Sequence, residues 1–252
     1  MATSSQAGRN GIICGMARTV FLVRHGQASF GKADYDQLSP TGHQQARALG
    51  ESLRRRGWAP DRIVCGTMKR HRQSVAEILV GAQLDDTQSH DTAELEIDYD
   101  PAWNEMDHVE VITGFRPAYR NMLVMKADMV RTLRPRAAFE DMFLQAITRW
   151  AGGEHDEDYA ETFEGFTTRV SGALESLVGA DGERTLVVSS IGVIAWLVTG
   201  LLGGQPEPTW RELSMAGFNT GVTRLQIDKT GPHLLTFNEI SHLEVATLVT
   251  NR

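Results

Sequence analysis

Cysteine is nearly absent from this chain of 252 residues: only Cys14 and Cys65 occur, far apart and without metal-type spacing. That excludes a disulfide framework and fits a reducing compartment, with one thiol in the N-terminal tail and the other on a buried strand. Long apolar runs are also missing. No stretch reaches the roughly 18 residues needed to span a bilayer, and the nearest, 186–202, is divided by Ser189, Ser190 and Gly192. Positive charge is in deficit, with 25 Lys and Arg against 32 Asp and Glu for a net charge of −7. Neither nucleic acid nor an anionic membrane surface is therefore expected as a partner, and any anionic ligand must be drawn by a local basic pocket. His71, His90, His155, His233 and His242 form no metal-type pairs, and neither G-x-x-x-x-G-K-S/T nor G-x-G-x-x-G is present. No metal site and no nucleotide-phosphate loop are expected.

What is present is an alternation of apolar strands and amphipathic helices. Residues 1–16, rich in Ser, Gly and Ala, have neither the basic start nor the apolar core of a signal peptide. They read as a flexible extension of a cytoplasmic protein. From 17 to 252 the chain reads as one domain. Thr19-Val20-Phe21-Leu22 is a strand; Ser39-Pro40 opens a helix with Gln44, Ala46, Leu49 and Leu53 on one side, and Gly57 ends it. A short buried strand spans Arg62 to Cys65, a helix Met68 to Val80, and a third strand Leu95 to Ile97. The pattern predicts a three-layer α/β/α fold with a mainly parallel sheet.

A helical insertion over about 105–150 interrupts this rhythm, with Met122, Met125 and Met129 on one stripe as core filler. Six basic residues between Arg116 and Arg136 face six carboxylates between Glu154 and Glu164, as solvated faces that partly neutralise one another or as a lid over an anionic substrate. Thr162 to Leu177 is a further helix, Thr185 to Val188 a second buried strand, and Val193 to Leu202 the helix after it. Thr223 to Phe237, with a turn at 228–231, reads as a hairpin at a sheet edge.

The chemistry gathers at Val23-Arg24-His25-Gly26-Gln27, where a strand end delivers a cation, a nucleophile and bare backbone N–H groups. Those are what an incoming phosphate needs. With Leu38-Ser39-Pro40-Thr41-Gly42, Gln45-Ala46 and Arg70-His71-Arg72-Gln73-Ser74, most of the chain from Thr19 onward resembles the histidine phosphatase superfamily, the phosphoglycerate-mutase-like fold.

The resemblance implies that His25 attacks phosphorus to form a phosphohistidine and that Arg24 and Arg70 clamp the phosphoryl oxygens. Gln27 becomes a polar wall of the pocket. Glu105, with Asp107 as the alternative, becomes the acid that protonates the departing alcohol. The expected activity is phosphomonoester hydrolysis of a small anionic substrate without a cofactor. Mutase activity is disfavoured because Ala-Ser-Phe-Gly follows Gln27 in place of S-x-W-N, which keeps a bisphosphoglycerate cofactor out of the expectation.

One departure stands out. The family continues its second buried strand as S-H-G-G, whereas this chain reads Ser189-Ser190-Ile191-Gly192, so Ser190 stands where a second pocket histidine is expected. Losing one such donor typically costs about 10²–10³ in rate. The Ser190 hydroxyl, the N–H groups of the following helix and His108 as a substitute cation are the candidates to offset it. A phosphate-binding module without turnover is the alternative reading. Gly66 also stands where the family commonly has serine. Physiological substrate and oligomeric state are not legible.

Overall fold

The computed structural model describes residues 17–29, 35–84 and 95–251; the tail at 1–16 lies outside these. Its elements are β1 (Arg18–Arg24), α1 (Pro40–Arg55), β2 (Arg62–Cys65), α2 (Lys69–Ala82), β3 (Ile97–Tyr99), α3 (His108–Phe115), α4 (Met122–Val130), α5 (Pro135–Ala151), α6 (Phe163–Gly179), β4 (Arg184–Ser189), α7 (Ile191–Leu202), α8 (Pro206–Ala216), β5 (Val222–Asp228) and β6 (Gly231–Glu239). The six strands form one sheet in the order β3-β2-β4-β1-β5-β6, with the first four parallel and the β5–β6 hairpin antiparallel at one edge.

Strand alternation divides the interior. Phe21 and Val23 of β1, Ile63 and Cys65 of β2, and Leu186 and Val188 of β4 face α1 and α2. Val20, Leu22, Val64 and Val187 between them face the layer built from α6, α7 and α8, which includes Phe166, Val170, Val193, Leu197 and Trp210. The expected three layers and mainly parallel sheet are observed, because a period of two on buried strands demands a covering layer on each side. Cys65 is the buried strand thiol, and its pKa is pushed up to about 12 by burial.

Local signals explain the helix starts. Ser39 caps α1 by accepting from the Gly42 N–H at 3.1 Å, with Pro40 in the first turn. Thr162 caps α6 in the same way. Among the described residues no helix is long and apolar enough to cross a membrane.

Several boundaries differ from expectation. The third strand begins at Ile97 rather than Leu95, because Ile97, Asp98 and Tyr99 take the register with Ile63, Val64 and Cys65. As an edge strand it tolerates exposed Asp98 and Tyr99. Helix α7 starts at Ile191, two residues early, which makes Ser190 its extended N-cap. Helix α8, opened by Pro206, was not anticipated.

The insertion is three helices, α3, α4 and α5. Its methionine stripe is filler only in part: Met125 and Met129 pack on a small separate cluster of Ile112, Tyr119 and Met142, whereas Met122 is 49% exposed. The two charged stretches also find other partners. Asp158 pairs with Arg149 and Glu161 with Arg169, both outside the basic stretch, while Arg136 pairs with Glu140 on its own helix. The nearer partner wins because exposed pairs at a distance gain little.

Candidate active site

Helix α1 leaves β1 toward one face of the sheet, and α7 leaves the neighbouring β4 toward the other. The crevice that opens between their carboxyl ends is where open α/β sheets bind ligands. Arg24 lies opposite Ser189, and the His25 N–H donates to the Ser189 carbonyl at 2.9 Å. Gly66, at the end of β2, likewise donates to the Val188 carbonyl at 3.0 Å. Three strand ends thus place His25, Ser190 and Gly66 side by side.

His25 is buried with Nδ1 2.6 Å from the Gly26 carbonyl oxygen. A carbonyl only accepts, so Nδ1 carries the ring proton and Nε2 presents its lone pair. Arg70, from the first turn of α2, donates from Nε to that Nε2 at 3.2 Å and from Nη1 to Asp36 at 2.7 Å. Burial, with Arg70, Arg24 and His71 nearby, holds the His25 pKa well below its ordinary value, so the imidazole is neutral.

Arg24 donates from Nη1 to the Gly217 carbonyl at 2.6 Å, while its buried Nε has no partner among the described residues. Burial lowers its pKa to about 10, with Glu105 opposing, so the guanidinium stays charged.

Glu105 reaches across from the segment that follows Trp103. Its Oε2 accepts from the Gly192 N–H at 3.0 Å, and Arg24 and Arg70 lie within electrostatic reach. A Cβ on Gly192 would fall 2.3 Å from Glu105 Oε1, so glycine is what lets the carboxyl dock there. Burial raises the Glu105 pKa despite those partners. Asp107 is committed elsewhere: exposed, it caps α3 by accepting from the Val109 and Glu110 N–H groups at 2.9 and 3.1 Å.

Gln27 is also committed, its Oε1 accepting from Ser39 Oγ at 2.7 Å and so bracing the start of α1. Among the first N–H groups of α7, expected to meet an anion, that of Gly192 meets Glu105. His108 packs edge-on against Tyr35, 5.0 Å between ring centroids, and burial together with Arg70 lowers its pKa. Burial works against the charged form that a substitute cation requires, with Asp107 and Asp36 opposing it.

His71 is the residue that sequence reasoning passed over. It is fully buried on α2, its ring 5.6 Å from that of His25, and its Nε2 lies 2.7 Å from Ser190 Oγ. The available signal was its place directly after Arg70 in the sequence.

Comparison with known proteins agrees with this architecture. The family model described as histidine phosphatase superfamily (branch 1) matches residues 20–141 and 130–240. A Schizosaccharomyces pombe protein named "Probable phosphatase" is 25% identical over 241 residues, spanning 89% of this chain and 95% of that one. The broad-specificity phosphatase of Saccharomyces cerevisiae is 38% identical over 66 residues, 24% of this chain and 29% of its own. Among solved structures, the alpha-ribazole phosphatase from Shigella flexneri superposes with a TM-score of 0.57 at 19% identity, covering 88% of this chain and 96% of that one.

Proposed function

The chain belongs to the histidine phosphatase superfamily, and from that premise we propose that it hydrolyses small phosphomonoesters through a phosphohistidine on His25. The observation that carries this reading is the hydrogen bond between His25 Nδ1 and the Gly26 carbonyl, which leaves Nε2 unprotonated beside two guanidinium groups.

In the proposed first step the Nε2 lone pair attacks phosphorus in line. The ester P–O bond breaks as the N–P bond forms, and the Glu105 carboxyl delivers its proton to the departing alkoxide. In the second step the Glu105 carboxylate takes a proton from water as that water attacks phosphorus. The N–P bond breaks, inorganic phosphate leaves, and both residues return to their starting states. Arg24 Nε and the Arg70 fork offset charge on the equatorial oxygens, where fixed donors act most strongly. The upward shift of the Glu105 pKa favours the protonated acid that the first step uses, and the lowered His25 pKa leaves Nε2 unprotonated for the same step.

The test is hydrolysis of p-nitrophenyl phosphate between pH 5 and 8 against His25→Ala, with rapid-quench isolation of an acid-labile phosphoenzyme. Activity and phosphoenzyme are both expected to vanish in the variant. Turnover in His25→Ala equal to the parent's removes the reading.

A further inference from the structure

His71 Nε2 and Ser190 Oγ lie 2.7 Å apart in a buried place, and His71 Nδ1 has no hydrogen-bond partner among the described residues. A neutral imidazole carries one N–H, and burying that donor unpaired costs more than burying a bare lone pair beside apolar neighbours. The proton therefore belongs on Nε2, donated to Ser190 Oγ. That assignment frees the Ser190 hydroxyl hydrogen to point elsewhere. Ser190 follows Ser189, whose carbonyl holds the His25 N–H, and its partner His71 has its ring 5.6 Å from that of His25, so the fully buried hydroxyl sits close behind the His25 imidazole.

Room for His71 comes from Gly66. A Cβ there would sit 2.2 Å from His71 Nδ1 and 2.9 Å from Cε1, so any side chain at position 66 displaces the imidazole. Gly66 and Ser190, which look like two independent departures in the sequence, are accounted for by one ring. Helix α2 delivers it one residue after Arg70, from the opposite face of the sheet to α7.

We propose that His71 is a positioning residue that orients the Ser190 hydroxyl as a donor to the phosphoryl group, so that a histidine–serine pair from two elements holds the oxygens opposite Arg24 and Arg70. The inference rests on the phosphatase reading of the same pocket. Glu105 acts on the leaving group, whereas the His71–Ser190 pair acts on the transferred one.

The experiment compares His71→Leu, His71→Gln, Ser190→Ala and the His71→Leu/Ser190→Ala double variant in kcat and KM for p-nitrophenyl phosphate, with His25→Ala as blank. Orthovanadate affinity is measured by calorimetry. Ser190→Ala and His71→Leu are each expected to lower kcat by about 10²-fold with KM little changed, as removal of one preorganised donor does. The double variant falls no further, because the two residues act as a unit. His71→Gln, whose amide can donate from near the Nε2 position, recovers a substantial part of the loss, which a purely space-filling role would not produce. Losses that multiply in the double variant, or parental kcat in Ser190→Ala, overturn the proposal. If the parent protein turns over no faster than His25→Ala, the phosphatase reading fails and orthovanadate decides alone. Affinity weakened in both single variants and no further in the double upholds the pair; unchanged affinity in Ser190→Ala overturns it.

Discussion

The Glu105 carboxyl accepts from the backbone N–H of Gly192, 3.0 Å away, so the acid of the proposed mechanism is seated on the first turn of the helix that follows β4. A half-buried carboxyl held by the Gly192 and Met106 N–H groups keeps a fixed position while burial raises its pKa.

The seat is sterically exclusive. Gly192→Ala puts a methyl group 2.3 Å from where Oε1 now lies and forces Glu105 out. Turnover of an alkyl phosphate is expected to fall by about 10²-fold, the scale of a misplacement near 1 Å, with circular dichroism unchanged because alanine suits a helix better than glycine. Steady-state kinetics of the purified variant checks this.

Glu105→Gln separates acid catalysis from binding. With an alkyl phosphate the departing alkoxide needs a proton, and the rapid-quench rate of phosphoenzyme formation is expected to drop by about 10²–10⁴-fold. With p-nitrophenyl phosphate, whose phenolate leaves unaided, that first step slows much less, although the water attack that follows still lacks its base. Equal losses in the first step on both substrates assign Glu105 to binding rather than to protonation of the leaving group.

Arg169 of α6 anchors the segment that carries Glu105. Its Nη1 donates to the Ala102 and Asn104 carbonyls, each at 2.9 Å, while Nε and Nη2 meet Glu161. Arg169→Met keeps the stem's bulk and removes the donors. It is expected to lower kcat for alkyl phosphates about tenfold and to leave orthovanadate affinity unchanged, since Arg24, His25 and Arg70 are untouched.

Acid should weaken the fold before it protonates the folded site. Buried His242 has its pKa lowered to about 4 from 6.5, chiefly by burial, and His25 and His71 are lowered in the same sense. Between pH 6.5 and 4 the unfolded chain therefore binds protons that the folded chain refuses, so stability falls as pH falls. His242 alone contributes up to about 3 kcal/mol over that range. Urea midpoints at pH 7.5 and 5 are expected to differ clearly in the parent and less in His242→Gln.

The sheet, its covering helices other than α8, and the places of Arg24, His25 and Arg70 in the chain were legible because they rest on local signals: strand ends, a serine–proline helix start, an apolar side of fixed period. Glu105 was separable from Asp107 only in space, where one docks on Gly192 and the other caps α3. Gln27 looked free in sequence because Ser39, which occupies it, is twelve positions away. His71 was hidden for a stronger reason. Its role depends on Ser190, 119 positions away, and on a side chain that Gly66 lacks. An absence carries no pattern until the residue that fills the space is seen.

The small apolar cluster around Ile112, Tyr119 and Met142 is distinct from the two cores that grip the sheet and joins the larger of them through Phe115 and Phe143. The outer part of the insertion, with α4 exposed above it, therefore has stabilising contacts of its own. On the proposed function, changes in that region alter which substrates fit, while the packing that seats Arg24, His25 and Arg70 is supplied by other parts of the interior.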